Sequence, residues 1–130
     1  MKGTGFVDGG ARGNPGPAGA GAVLTGDKPF SINKYLGETT NNVAEYTALV
    51  LLLQKALELG YDEMEVFADS ELMVRQINGQ YKVKDAKLRE LFFQATECIA
   101  RLKNFSLAHI PRERNKEADR LVNEAIDRGC

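Results

Sequence analysis

The sequence predicts a single α/β domain over residues 1–130, with a mixed five-stranded sheet, helices on both faces and the element order β-β-β-α-β-α-α-β-α. Three observations carry that expectation. Three short strand-like runs open the chain, separated only by segments rich in glycine and proline. Long segments with apolar residues at helical spacing follow. Two further strand-like runs are set between those helical segments. Strands joined by turns pair antiparallel, whereas strands separated by helices favour parallel pairing through crossovers.

The first strand is expected over residues 5–7. The run Gly9-Gly10-Ala11-Arg12-Gly13-Asn14-Pro15-Gly16-Pro17 cannot be helical and reads as a turn. Small residues over 18–24 form the second strand, and Gly26-Asp27-Lys28-Pro29 turns into a third over 30–36, where apolar and polar residues alternate. A helix is expected over 42–59, with Tyr46, Leu49, Val50, Leu53 and Leu57 on one face and Gly60 as its stop. Residues 64–68 give the fourth strand. Asp69-Ser70 suits the cap of a helix over 71–77, which Asn78-Gly79 ends. A helix over 85–103 presents Leu88, Leu91, Phe92, Ala95, Ile99 and Leu102. A fifth strand over 105–110 precedes the closing helix, 115–128, with Ala118, Leu121, Val122 and Ala125 inward.

Composition narrows the function. The 17 Lys plus Arg against 18 Asp plus Glu leave a net charge of −1, which does not advertise a nucleic-acid binder. If cations neutralise several carboxylates, however, the rest of the surface is net positive. No apolar run approaches the ~18 residues of a membrane span, and no signal-like segment follows Met1, so a cytoplasmic monomer is expected. The cysteines, Cys98 and Cys130, fit neither a zinc site nor a disulfide framework; Cys98 reads as a buried apolar residue and Cys130 as incidental. No Gly-x-Ser-x-Gly motif is present, and neither cysteine has a His in a plausible frame, so no side-chain nucleophile stands out.

Four carboxylates stand out by position. Asp8 and Asp69 end the first and fourth strands, Glu45 lies one turn into the long helix, and Asp119 lies in the first turns of the closing helix. Sites in open α/β sheets gather at strand ends. Two carboxylates about 4 Å apart repel by about 4 kcal/mol at an effective dielectric of 20, so such a cluster requires cations. Oxygen-only ligands suit Mg²⁺ or Mn²⁺, and two such ions about 4 Å apart can flank a phosphodiester. Position alone favours a plainer account: Asp69 as a cap, Asp8 as a turn former, Glu45 as a solvated helix residue.

The local sequences add a resemblance. Phe6-Val7-Asp8-Gly9-Gly10-Ala11-Arg12-Gly13-Asn14-Pro15-Gly16-Pro17-Ala18-Gly19 resembles the opening motif of the type 1 ribonuclease H family. Thr40-Asn41-Asn42-Val43-Ala44-Glu45-Tyr46-Thr47-Ala48-Leu49, Phe67-Ala68-Asp69-Ser70 and Asn115-Lys116-Glu117-Ala118-Asp119-Arg120-Leu121-Val122-Asn123 resemble its later motifs, in order and over essentially the whole chain. The resemblance implies a ribonuclease H-like fold. It implies a metal-dependent endonuclease that hydrolyses the RNA strand of an RNA–DNA hybrid and leaves 5′-phosphate and 3′-hydroxyl ends. It implies Asp8, Glu45, Asp69 and Asp119 as catalytic ligands of two Mg²⁺ or Mn²⁺ ions with substrate bound. It also implies that Asn14, Thr40, Asn41 and Asn42 touch the hybrid's backbones, with Ser70 a further contact; amides and hydroxyls can bond phosphates and 2′-hydroxyls without reading sequence. Helix capping for Asn41, Asn42 and Ser70, and a turn for Asn14, remain compatible roles.

The chain also departs from the family. Glu71 stands where a Gln often follows the Asp-Ser pair, and a carboxylate cannot donate to phosphate. The 77–85 link is too short for the basic protrusion that many members use to grip the hybrid; Lys82, Lys84, Lys87 and Arg89 lie nearby. That loss implies weak, salt-sensitive binding. Where the family often has a mobile His ahead of the last Asp, the sole His here is His109, at the end of an expected strand. Arg112, in the loop that follows, is favoured for the auxiliary role because Arg grips phosphate, with His109 as the alternative. Two rivals stay open: a nuclease that also cuts double-stranded RNA, and a non-catalytic hybrid-binding module.

Overall fold

A computed structural model describes residues 1–129; Cys130 lies outside the described residues. Strands β1 (Lys2–Ala11), β2 (Gly16–Thr25) and β3 (Phe30–Thr39) lead into α1 (Asn41–Leu59). Then come β4 (Glu63–Ala68), α2 (Glu71–Ile77), α3 (Ala86–Ala100), β5 (Asn104–His109), a single 3₁₀ turn at Arg112–Arg114 and α4 (Lys116–Arg128). The expected element order is the observed one.

The five strands lie in the order β3-β2-β1-β4-β5. β1, β2 and β3 pair antiparallel, while β4 pairs parallel with both β1 and β5. Phe6 opposes Phe67 across β1 and β4, and their rings stack at 5.4 Å.

Glycines show which helix covers which face. A Cβ on Gly9 would lie 2.2 Å from the Ala44 carbonyl carbon of α1, whereas one on the next residue, Gly10, would meet Val122 of α4. Neighbouring strand residues point to opposite faces, so α1 and α4 sandwich the sheet. α3 and α2 pack on the α1 side. The core between α1 and the sheet contains Leu49, Leu52, Leu53, Val66 and Tyr46, with Cys98 buried at its α3 border as expected.

Several expected boundaries are corrected: β1 starts at Lys2 rather than residue 5, β2 at Gly16 rather than residue 18, and β3 runs to Thr39 rather than residue 36. β1 runs to Ala11 rather than stopping at residue 7, and Gly9 and Gly10 belong to it rather than to the turn. Their lack of side chains admits the two helices, and pairing with β2 continues through Ala11↔Ala18. The turn is thereby confined to residues 12–15. α3 ends at Ala100 instead of running to 103, because the Lys103 N–H donates to the Asp62 carbonyl at 2.7 Å and turns the chain into β5. Ser70 caps α2 by accepting from Met73 N–H and Gly60 ends α1 with φ 96°, as expected, whereas α1 is capped by Thr40, which accepts from Val43 N–H, and not by Asn41 or Asn42, which lie inside the helix; Asp85 caps α3 by accepting from Leu88 N–H. Among the described residues no helix is long and apolar enough to cross a membrane.

Candidate active site

The pairing of β1 with β4 ends at Val7↔Ala68, whereas its pairing with β2 continues through Asp8↔Gly21. Asp8 is therefore inside β1, not at its end as expected, yet it stands where the neighbouring parallel strand departs. Asp69 is the first residue beyond β4 and meets Asp8 across that opening. Glu45 comes from the second turn of α1, brought close because Gly9 leaves room for the Ala44–Glu45 peptide. Carboxylate oxygens of Asp8, Glu45 and Asp69 all lie within 4.8 Å of one another.

Asp119, in the first turn of α4, stands on the wall of the same cavity, which has a volume of about 530 Å³. Gly21 admits α4 to this side of the sheet, since a Cβ there would lie 2.5 Å from the Ala118 carbonyl oxygen. Asn115 ties α4 to the cluster's strand. Its Nδ2 donates to the Val7 carbonyl at 2.8 Å, and its own carbonyl accepts from the Asp119 N–H at 3.1 Å. All four carboxylates singled out in the sequence thus share one cavity.

The site is electrostatically strained without cations. Asp8 is only 8% exposed. Burial, then the Asp69 charge and hydrogen bonding with Asp69 and Asp119, push its carboxyl up to about 9. Burial pushes Glu45 up to about 7, with the Asp69 charge adding to the effect and the Ser70 hydroxyl opposing it. Hard oxygen donors in excess of local positive charge are the donor set that a divalent cation such as Mg²⁺ or Mn²⁺ fits.

The flanking residues divide. Arg112 lines the cavity and reaches Asp119 at 3.6 Å with its side chain 78% exposed. His109, exposed at the end of β5, is not on the cavity wall. Asn41 lines the cavity; its Oδ1 accepts from Ala11 N–H at 2.7 Å, and its own N–H donates to Asn14 Oδ1 at 3.1 Å. Asn14, Thr40, Asn42 and Ser70 do not line the cavity; Asn14 is bonded to Asn41, and Thr40 and Ser70 serve as helix caps. Glu71 points to Arg75 on its own helix at 3.4 Å, so it does not crowd the cluster. Lys82, Lys84 and Arg89 line a separate groove with Tyr81, Phe92 and Phe93.

Sequence reasoning missed Arg12 and Asn123 on the cavity wall and the bridging role of Asn115. Arg12 sits in a run that signals only a turn, and Asn115 precedes a helix, where Asn ordinarily signals a cap.

Residues 6–125 match the model of the reverse transcriptase-like family. Ribonuclease HI of Halobacterium salinarum is 40% identical, and the match covers 94% of this chain and 63% of that protein. The bifunctional protein Rv2228c of Mycobacterium tuberculosis is 44% identical, but this chain spans only 34% of its length. The structure of that protein's N-terminal RNase H domain, fused to maltose binding protein, superposes with a TM-score of 0.94 at 41% identity, covering 97% of this chain and 99% of that one. LC11-RNase H1 in complex with an RNA/DNA hybrid superposes at 0.90 with 48% identity, covering 97% of both chains. Whole-chain agreement in sequence and fold, around a carboxylate cavity of this composition, places the chain in the type 1 ribonuclease H family of hydrolases.

Proposed function

We propose that this chain is a cytoplasmic, monomeric endoribonuclease that hydrolyses the RNA strand of RNA–DNA hybrids, leaving 5′-phosphate and 3′-hydroxyl ends. The observation that carries the reading is the convergence of Asp8, Glu45 and Asp69 within 4.8 Å, with Asp119 on the same cavity wall. The four carboxylates would hold two Mg²⁺ or Mn²⁺ ions when substrate is bound. When bound, such ions activate the attacking water and neutralise the charge that develops on the leaving oxygen. Water attacks phosphorus, the bond from phosphorus to the 3′-oxygen breaks, and the phosphate stays on the 5′ end of the downstream fragment.

The remaining residues bind and orient. Asn14 and Asn41 each use Oδ1 to accept a backbone N–H, which leaves their NH₂ groups as donors toward phosphate or 2′-hydroxyl. Thr40 and Asn42, on either side of Asn41 in the chain, and Ser70, next to Asp69, are assigned backbone contacts with the hybrid. A hybrid carries 2′-hydroxyls on one strand only, so such contacts can select the RNA strand without reading sequence. Arg112 is the auxiliary residue, since its exposed guanidinium already stands at Asp119 and can exchange that contact for phosphate. Replacement of His109 is therefore expected to leave turnover near wild type, and Arg112→Ala to lower it.

The test is cleavage of matched hybrid, RNA duplex and DNA duplex, with the ends of the products identified. Cutting of the RNA in the hybrid alone, with 5′-phosphate ends, is the expected result. Comparable cutting of the RNA duplex would point instead to a nuclease of broader substrate range, and tight hybrid binding without turnover to a binding module.

A further inference from the structure

The cavity wall carries two cations among the described residues, Arg112 and Arg12, and the reading above uses only the first. Arg12 follows β1 at the tip of the β1–β2 hairpin, and its base is fixed. Its N–H donates to the Pro17 carbonyl at 2.8 Å, and the preceding N–H, of Ala11, donates to Asn41 Oδ1. The guanidinium reaches α4, with Nη1 at 2.6 Å from Asp127 Oδ1 and Nη2 donating to Asn123 Oδ1 at 3.3 Å. Asp119, Asn123 and Asp127 recur every four residues and so run as a stripe along one side of α4. One end of the stripe is a carboxylate of the cluster; the other is the partner of Arg12.

We propose that Arg12 is a substrate-binding residue that takes a backbone phosphate of the nucleic acid away from the scissile bond, and that Asp127 occupies its guanidinium when no substrate is present. This rests on the hybrid-hydrolase reading. Eight helical residues separate Asp119 from Asp127, about 12 Å along the axis. That is about three nucleotides at ~3.4 Å rise per strand. The Arg12 and Asp127 side chains are 49% and 66% exposed, and an exposed ion pair of this kind contributes little to stability. A guanidinium, by contrast, grips phosphate with two parallel hydrogen bonds. The exchange of Asp127 for phosphate is thus favourable, and the rigid base of the hairpin keeps the arginine aimed along the cavity. A contact so far from the reacting bond is the same in ground and transition states, so it acts on KM and not on kcat.

Steady-state cleavage of a hybrid duplex across a range of salt concentrations tests this with Arg12→Met, Asp127→Asn and the double variant. Arg12→Met is expected to raise KM about five- to tenfold at low salt, with kcat within about twofold. It should also lower the slope of log KM against log salt by about 0.9, the loss of one phosphate contact. Asp127→Asn is expected to lower KM about two- to threefold when Arg12 is present and to leave it unchanged in the Arg12→Met background. If both single variants raise KM alike, the pair is only a tether between hairpin and helix and the proposal fails. It also fails if Asp127→Asn lowers KM equally in both backgrounds, which is general relief of repulsion. Should Arg12→Met not fold, Arg12→Lys replaces it: a smaller rise in KM with the salt slope kept supports the proposal, and an unchanged KM overturns it. Wild type that turns over hybrid while Arg12→Met matches its KM overturns this inference alone; wild type that never cuts hybrid overturns the functional reading as well.

Discussion

Asp8 is a carboxylate the fold would discard were it not needed. It is buried, faces Asp69 and Asp119, and accepts a backbone bond from Gly9 N–H on its Oδ1 at 2.9 Å. Asp8→Asn keeps that acceptor and removes the group that must take up a proton to be buried there near pH 8. It is expected to stabilise the cation-free protein by about 1–3 kcal/mol near pH 8 while abolishing cleavage, as chemical denaturation and a turnover assay would show. Asn115 carries the opposite expectation. Its side chain is almost fully buried and holds the Val7 carbonyl, one residue from Asp8. Asn115→Ala is expected to cost about 1–3 kcal/mol, because the Val7 carbonyl is left unpaired, and to raise the Mn²⁺ concentration needed for half-maximal activity. Position alone left the four carboxylates ambiguous, because a cap, a turn former or a solvated helix residue explains an acid at an element end as well; the family motifs around Asp8, Glu45, Asp69 and Asp119 singled them out. Arg12 and Asn115 were not legible, because their partners lie 115 and 108 residues away and nothing local reports them. Of the two auxiliary candidates, Arg112 stands on the cavity wall and His109 does not.

Elements bring the site together by close approach. Gly9 lets α1 sit against β1, and Gly21 lets α4 sit against β2. Gly9→Ala would force a Cβ to 2.2 Å from the Ala44 carbonyl carbon and 2.3 Å from the Glu45 nitrogen, both backbone atoms that cannot swing aside. The expected outcome is a loss of about 2–3 kcal/mol in stability with a fall in kcat, because the displaced peptide carries Glu45. A variant with wild-type melting and turnover would contradict this packing. Element type was readable throughout, because periodicity reports burial directly. Boundaries were less so: consecutive glycines signal a turn by conformational freedom, whereas Gly9 and Gly10 serve here by the absence of a side chain between two helices. Pairing with β2 then draws the strand on to Ala11.

At the scale of the whole molecule, the cluster couples stability to pH and to cations. Asp8 and Glu45 ionise near 4 in the unfolded chain but near 9 and 7 in the fold. Between those limits the folded state binds more protons, so its stability falls as pH rises. Thermal unfolding in chelator is expected to show a melting temperature that declines from about pH 5 toward pH 9, a shallower decline in Asp8→Asn, and recovery when Mg²⁺ is added at pH 8. A flat profile would mean that the carboxylates are not strained. The balanced net charge gave no hint of the cavity, because a total over the chain does not report that Asp8, Glu45, Asp69 and Asp119 share one wall. The most direct test of the central claim is cleavage of end-labelled RNA within an RNA–DNA hybrid, with Mg²⁺ or Mn²⁺ and with chelator, by wild type and Asp69→Asn. Cation-dependent cutting of the RNA strand by wild type alone is the expected result. Cutting that survives chelator or the Asp69→Asn change, or no cutting with either cation, would contradict it.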